Sequence, residues 1–223
     1  MKKAMLLLLI GMTVIQVSKA QDKPRFWDDV QTIKHYDQMY APPANPILFV
    51  GSSSIRKWED AERTFASYDV MNRGIGGAVV NDITFYLDDL VFAYHPREIV
   101  LYVGENDIPD GAVADTVLER TKKLLTAIRE KLPETPIIYI SIKPSPSRDK
   151  YRETVKQANA LIQEYLKTQH KITWIDVYTP MLTKDGNSRP EIFQSDMLHL
   201  NKDGYQIWKK LVQPTLVKKE VKK

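Results

Sequence analysis

The sequence predicts a three-layer α/β/α sandwich, with a central parallel sheet of about five strands covered by helices on both faces. Three observations carry this expectation. Short apolar runs, above all Ile99-Val100-Leu101-Tyr102-Val103, lack polar alternation and so read as strands buried on both faces. Segments with helical periodicity separate them. Gly and Pro stand at the junctions, where they punctuate the chain.

Taken in order, Phe26 to Tyr40 reads as a helix and Ala41 to Pro46 as a Pro-rich loop. Ile47 to Val50 is the first strand, ending in Gly51-Ser52-Ser53-Ser54, and Ser54 to Phe65 is expected to be a helix. A short strand around Asp69 to Met71 leads into Asn72-Arg73-Gly74-Ile75-Gly76-Gly77. Val80 to Tyr94 is helical, with Ile83, Leu87, Leu90 and Val91 on one face, and Pro96 ends it. The strand Ile99 to Val103 follows, then a helix from Ala112 to Lys131 stopped before Pro133. Ile137 to Ile142 is a strand, Lys143 to Ser147 a loop, Tyr151 to Thr168 a helix and Ile172 to Asp176 a strand. Tyr178 to Met197 has no period, and Asp203 to Val217 closes the chain as a helix. The length suits one domain over residues 21–223.

Residues 1–20 read as a signal peptide. Lys2 and Lys3 form a basic start, Met5 to Val17 is apolar, and Ser18-Lys19-Ala20 supplies small residues for cleavage. The apolar run falls short of the roughly 20 residues a membrane span needs. Export to the periplasm or the extracellular space is the expectation. With Lys2, Lys3 and Lys19 removed, and no acid lost with them, the net charge falls from +4 to +1. That balance gives no case for a nucleic-acid partner. Residues 218–223 read as a solvated Lys-rich tail. The absence of Cys excludes disulfides, a thiolate metal site and a Cys nucleophile.

In a parallel sheet, ligands bind beyond the carboxyl ends of the strands. Ser52 to Ser54 follow the first strand, Gly74 to Gly77 the second, and Gly104-Glu105-Asn106-Asp107 the third. The serines have a bland reading, because Ser is a favoured helix N-cap. Acyl transfer by Ser would further need a base, a group that orients the base, and donors for the oxyanion. Of the four His, His35 lies in the N-terminal helix, His95 precedes Pro96 at a helix end and His170 sits in a polar turn, so each reads as structural or solvated. His199 follows Asp196 by three residues, within reach in a turn; the alternative is that Asp196 shapes the turn and His199 caps the last helix.

Together these blocks resemble the GDSL/SGNH hydrolase family. Ile47 to Ser54 is similar to its first block, Asn72 to Gly77 to its second, Gly104 to Asp107 to the Gly-x-Asn-Asp third, and Asp196-Met197-Leu198-His199 to the Asp-x-x-His last. The resemblance implies a flavodoxin-like fold and a serine esterase. It assigns Ser53 as nucleophile, His199 as base and Asp196 as the residue orienting it. It assigns the oxyanion to the backbone N–H groups of Ser53 and Gly77 and the side-chain amide of Asn106. It implies no metal and no organic cofactor. Two departures stand out: Ser52 occupies the place of the family's Asp, and Ser54 that of an apolar residue. Ser53 is therefore assigned by position, with Ser54 the main rival and Ser52 a lesser one.

Ile55 stands where a Gly-x-Ser-x-Gly elbow would need Gly, and Val79 where a dinucleotide signature would need its third. Asp28-Asp29 and Asp88-Asp89 read as solvated helix faces. Trp58, Trp174 and Trp208 are candidates for the core or for lining a site, and Trp27 for either. Within the family it resembles, the chain looks most like the acetylhydrolases and carbohydrate esterases, which implies a short-chain, acetyl-type ester on a sugar or polysaccharide as substrate. A lysophospholipase or thioesterase is the enzymatic alternative, and a non-catalytic glycan- or partner-binding module the alternative from another class.

Overall fold

The structure is a computed structural model that describes residues 23–218. The expected signal peptide, residues 1–20, lies outside the described residues, as do residues 219–223 of the Lys-rich tail.

Five strands form one sheet: β1 (Ile47–Gly51), β2 (Val70–Gly74), β3 (Glu98–Tyr102), β4 (Ile137–Ile140) and β5 (Ile172–Ile175). They pair in the order β2-β1-β3-β4-β5, all parallel. The side chains alternate between two cores. Leu48, Val50, Ile99, Leu101, Ile137 and Tyr139 join one, whose helical residues include Val30, Ile83, Leu90, Leu124 and Ile162. Ile47, Phe49, Val100, Tyr102, Ile138 and Ile140 join the other, with Ile55, Trp58, Ala61 and Trp208. Burial on both faces is why β1 and β4, and β3 after Glu98, are apolar. The fold class is the expected α/β/α sandwich.

The helices are α1 (Trp27–Met39), α2 (Ser53–Arg56), α3 (Ala61–Thr64), α4 (Val80–Phe85), α5 (Leu87–Leu90), α6 (Ala114–Lys131), α7 (Arg152–Leu166) and α8 (Lys202–Val212). Two expected helices are broken. The stretch from Ser54 to Phe65 divides into α2 and α3, because the carbonyls of Ile55 and Trp58 are taken elsewhere. Each accepts a three-residue turn bond, from Trp58 N and Ala61 N. Each also accepts Asn72 Nδ2, at 2.6 and 3.4 Å. The stretch from Val80 to Tyr94 divides at Tyr86, yet Ile83, Leu87, Leu90 and Val91 all remain buried as expected. The last helix ends at Val212, ahead of Pro214, and a short 3-10 turn follows.

From β1 the chain crosses to β2 on one side and then to β3 on the other. That reversal opens a crevice at the carboxyl end of β1, the usual ligand position in such sheets.

Candidate active site

Gly51 sets the geometry at the end of β1. Its φ of 148° and its closeness to β3 exclude a side chain, since a Cβ would stand 1.8 Å from the Tyr102 carbonyl oxygen. The chain then turns, with the Ser52 N–H donating to that same carbonyl at 3.0 Å. Ser52 occupies the N-cap of α2, but its side chain makes no cap hydrogen bond. The capping explanation for the serines therefore fails locally. Ser53 opens α2 and is partly exposed, whereas Ser52 and Ser54 are buried. Because α2 is a single turn, it contributes little macrodipole; the longer helix expected from the sequence would have supplied more.

His199 arrives on the loop between the irregular segment and α8. Its Nε2 lies 3.0 Å from Ser53 Oγ, and its Nδ1 lies 2.6 Å from Asp196 Oδ2. A carboxylate only accepts, so the ring proton sits on Nδ1 and the Nε2 lone pair faces the Ser53 hydroxyl. Asp196 Oδ1 accepts the N–H groups of Leu198 and His199, both at 2.9 Å. Desolvation raises the Asp196 pKa, but the ring and backbone hydrogen bonds outweigh it and hold the carboxyl well below its usual range. Asp196 thus both shapes the turn and orients the ring. The cap of α8 is Asn201, whose Oδ1 accepts Asp203 N and Gly204 N. His35, His95 and His170 are exposed and remote from this arrangement in role.

Asn106 and Gly77 lie on the loops that follow β3 and β2 at the same end of the sheet. Asn106 Nδ2 donates to the Ala78 carbonyl at 3.0 Å, and its neighbour Asp107 accepts the Val80 N–H at 3.0 Å. Two adjacent side chains of the loop after β3 thus staple the loop after β2. Gly77 faces open space. A Cβ there would meet nothing within 4 Å; the residue is suited to Gly by its φ of 82°. The N–H groups of Ser53 and Gly77 have no acceptor among the described residues. Free backbone donors at the carboxyl ends of β1 and β2 are the kind of group that suits a developing oxyanion.

Three neighbours were not singled out by sequence reasoning. Lys143, fully buried, donates from Nζ to Glu105 Oε1 at 2.8 Å and to the Leu198 carbonyl at 2.7 Å, one residue before His199. Glu105 also accepts the Tyr102 hydroxyl at 2.7 Å. Desolvation works against the Glu105 charge, but Lys143 and Arg148 outweigh it and leave the carboxyl below its ordinary range. Arg148 reaches the Glu105 carbonyl and Asn106 Oδ1, each at 3.0 Å. Glu105 lies inside the third block and could have been found there; Lys143 and Arg148 sit in a loop with no local signal. Trp58 and Trp208 prove to be core, Trp174 is half-buried, and Trp27 is exposed. Among the described residues no cluster of His, Cys, Asp and Glu could hold a metal ion, and no helix is long and apolar enough to cross a membrane.

Known proteins share the family and fold of this chain. Residues 49–207 match the model of the GDSL-like lipase/acylhydrolase family. No curated protein sequence matches the chain. Among solved structures, a GDSL-like lipase from Bacteroides thetaiotaomicron superposes with a TM-score of 0.73 at 19% identity, covering 84% of this chain and 97% of its own. A carbohydrate esterase family 3 protein from Talaromyces cellulolyticus gives 0.61 at 18% identity, covering 78% and 96%. An acetyl esterase mutant with an acetate ion gives 0.61 at 19% identity, covering 78% and 96%. At such identities the likeness to these structures is one of fold. The family match spans most of the chain, and with the five-stranded parallel sheet behind it the conclusion is that this protein belongs to the GDSL-like lipase/acylhydrolase family and hydrolyses ester bonds.

Proposed function

We propose that the protein is an exported esterase that removes short acyl groups, acetyl above all, from sugars or polysaccharides through an acyl-enzyme on Ser53. The observation that carries the mechanism is the continuous contact from Ser53 Oγ through the His199 ring to Asp196. In this reading Ser53 Oγ attacks the ester carbonyl while His199 Nε2 takes its proton. The oxyanion is met by the N–H groups of Ser53 and Gly77 and by the Asn106 amide. His199 then gives the proton to the leaving alcohol. A water activated by the same ring hydrolyses the acyl-Ser53 ester and restores the enzyme. Asp196 stays ionised throughout and stabilises the imidazolium.

Support for export is the basic, apolar and small-residue succession over residues 1–20. Support for short acyl groups on carbohydrates is the fold shared with the acetyl esterase and the carbohydrate esterase. A binding module without catalysis would have no use for a hydroxyl held against an oriented imidazole. Turnover of aryl acetate and aryl octanoate by the wild type, Ser53→Ala and Ser54→Ala tests the reading. Ser53→Ala is expected to lose about 10⁴-fold or more in kcat, and Ser54→Ala far less. A larger loss on Ser54→Ala would move the nucleophile, and faster turnover of the octanoate would favour a lysophospholipase or thioesterase. Release of acetate from acetylated glycans then identifies the substrate.

A further inference from the structure

We propose that Arg148 is a positioning residue for the oxyanion site: its guanidinium holds the Asn106 side-chain oxygen and so aims the Asn106 N–H at the developing charge. The inference rests on the reading of Asn106 as an oxyanion donor.

A side-chain amide is nearly symmetric in shape but opposite in chemistry at its two ends. Rotated by half a turn, it would present its oxygen to the oxyanion and repel it. Two contacts remove this ambiguity. Asn106 Nδ2 faces the Ala78 carbonyl at 3.0 Å, which can only accept. Asn106 Oδ1 faces Arg148 Nη2 at 3.0 Å, which can only donate. A flipped amide would meet donor with donor at one end and acceptor with acceptor at the other. In the observed orientation one N–H of Nδ2 goes to Ala78, and the second has no partner among the described residues.

The guanidinium is itself well placed to act as a fixed support. Its second arm, Nη1, donates to the Glu105 backbone carbonyl at 3.0 Å. One rigid plane therefore grips both the main chain just before Asn106 and the end of the Asn106 side chain. The Glu105 carboxylate lies 3.6 Å from the same nitrogen, and the Arg148 side chain is only 20% exposed. The loop carrying Arg148 is tied to the His199 loop, since Ser147 N donates to the Met197 carbonyl at 3.1 Å. A positive charge on the oxygen end of an amide also polarises it and strengthens its N–H groups as donors. Arg148 is thus read as acting through Asn106 and not on substrate.

A double-mutant cycle tests this on the full chain with an aryl acetate. The expectation is that Asn106→Ala lowers kcat by about 10²–10³-fold, and Arg148→Met by about tenfold with KM little changed. On the Asn106→Ala background, Arg148→Met is expected to cost nothing further, because the group it orients is gone. Multiplying losses in the double variant, or an unchanged kcat in Arg148→Met, would overturn the role of Arg148 while leaving Asn106 in place. An unchanged kcat in Asn106→Ala would instead overturn the oxyanion reading beneath it. Thermal melts report whether each variant folds. If Arg148→Met does not, Arg148→Lys, which keeps the charge but not the fork, replaces it in the cycle. Its loss is expected to be smaller and again absent without Asn106; a loss that persists there sinks the inference.

Discussion

The Ser52 hydroxyl is 1% exposed and meets no hydrogen-bond partner among the described residues. An unpaired buried hydroxyl costs about 1–3 kcal/mol. Ser52→Ala is therefore expected to raise the unfolding free energy by about 1 kcal/mol and to keep esterase activity. Urea denaturation checks this, and a marked loss of stability would show that Ser52 has a partner the fold requires. The three serines are alike in sequence, and position alone favoured Ser53. What separates them is the direction each side chain takes and a ring that comes from 146 residues further on. At Gly77 the structure adds what the sequence does not show: a backbone angle that favours Gly, with open space around it. Arg148 and Lys143 were not legible, because each acts across a fold that brings its loop to Asn106 or Leu198.

Among the elements, β1, β3 and β4 were read well because both faces are buried, which leaves an apolar signature broken only by Glu98 at the start of β3. Strand β2 runs three residues beyond the expected strand, through Asn72-Arg73-Gly74, whose polar and Gly residues hide it. The break between α2 and α3 was not read, because it is enforced from outside the helix. Asn72, on β2, removes the carbonyls that would have continued α2, and no local residue announces it. Helix α8 is the opposite case. Asn201 caps it and also donates to the carbonyls of Glu191 and Phe193, so one side chain joins the helix start to the strand-like turn before His199. Asn201→Ala is expected to cost about 1–2 kcal/mol of stability. It is also expected to lower kcat, because His199 stands two residues away. A variant that loses stability with kcat intact would show that Lys143 and Asp196 hold the His199 loop by themselves.

On the scale of the whole molecule, the sheet's far end carries a pH response. Glu98 at the start of β3 is buried and accepts the Val217 N–H at 3.0 Å, which anchors the chain beyond α8. Burial pushes its carboxyl up to about 7, against the Val217 hydrogen bond and Arg97. The folded protein then binds this proton more tightly than the unfolded chain does. The contribution is fully present below the ordinary value of 4.5 and is lost as pH rises through about 7. Glu98→Gln, which still accepts the N–H, is expected to melt higher than the wild type at about pH 8 and near it at about pH 4. Equal shifts at both would assign the effect to packing. Ser53 and His199, separated by 146 positions, bear on a different property. The pair forms only when the loop before α8 reaches the end of β1, so a chain still emerging from synthesis holds the serine without the imidazole. Hydrolytic competence becomes a late event in the life of each molecule, and appearance of esterase activity during refolding is a clock for completion of the native topology.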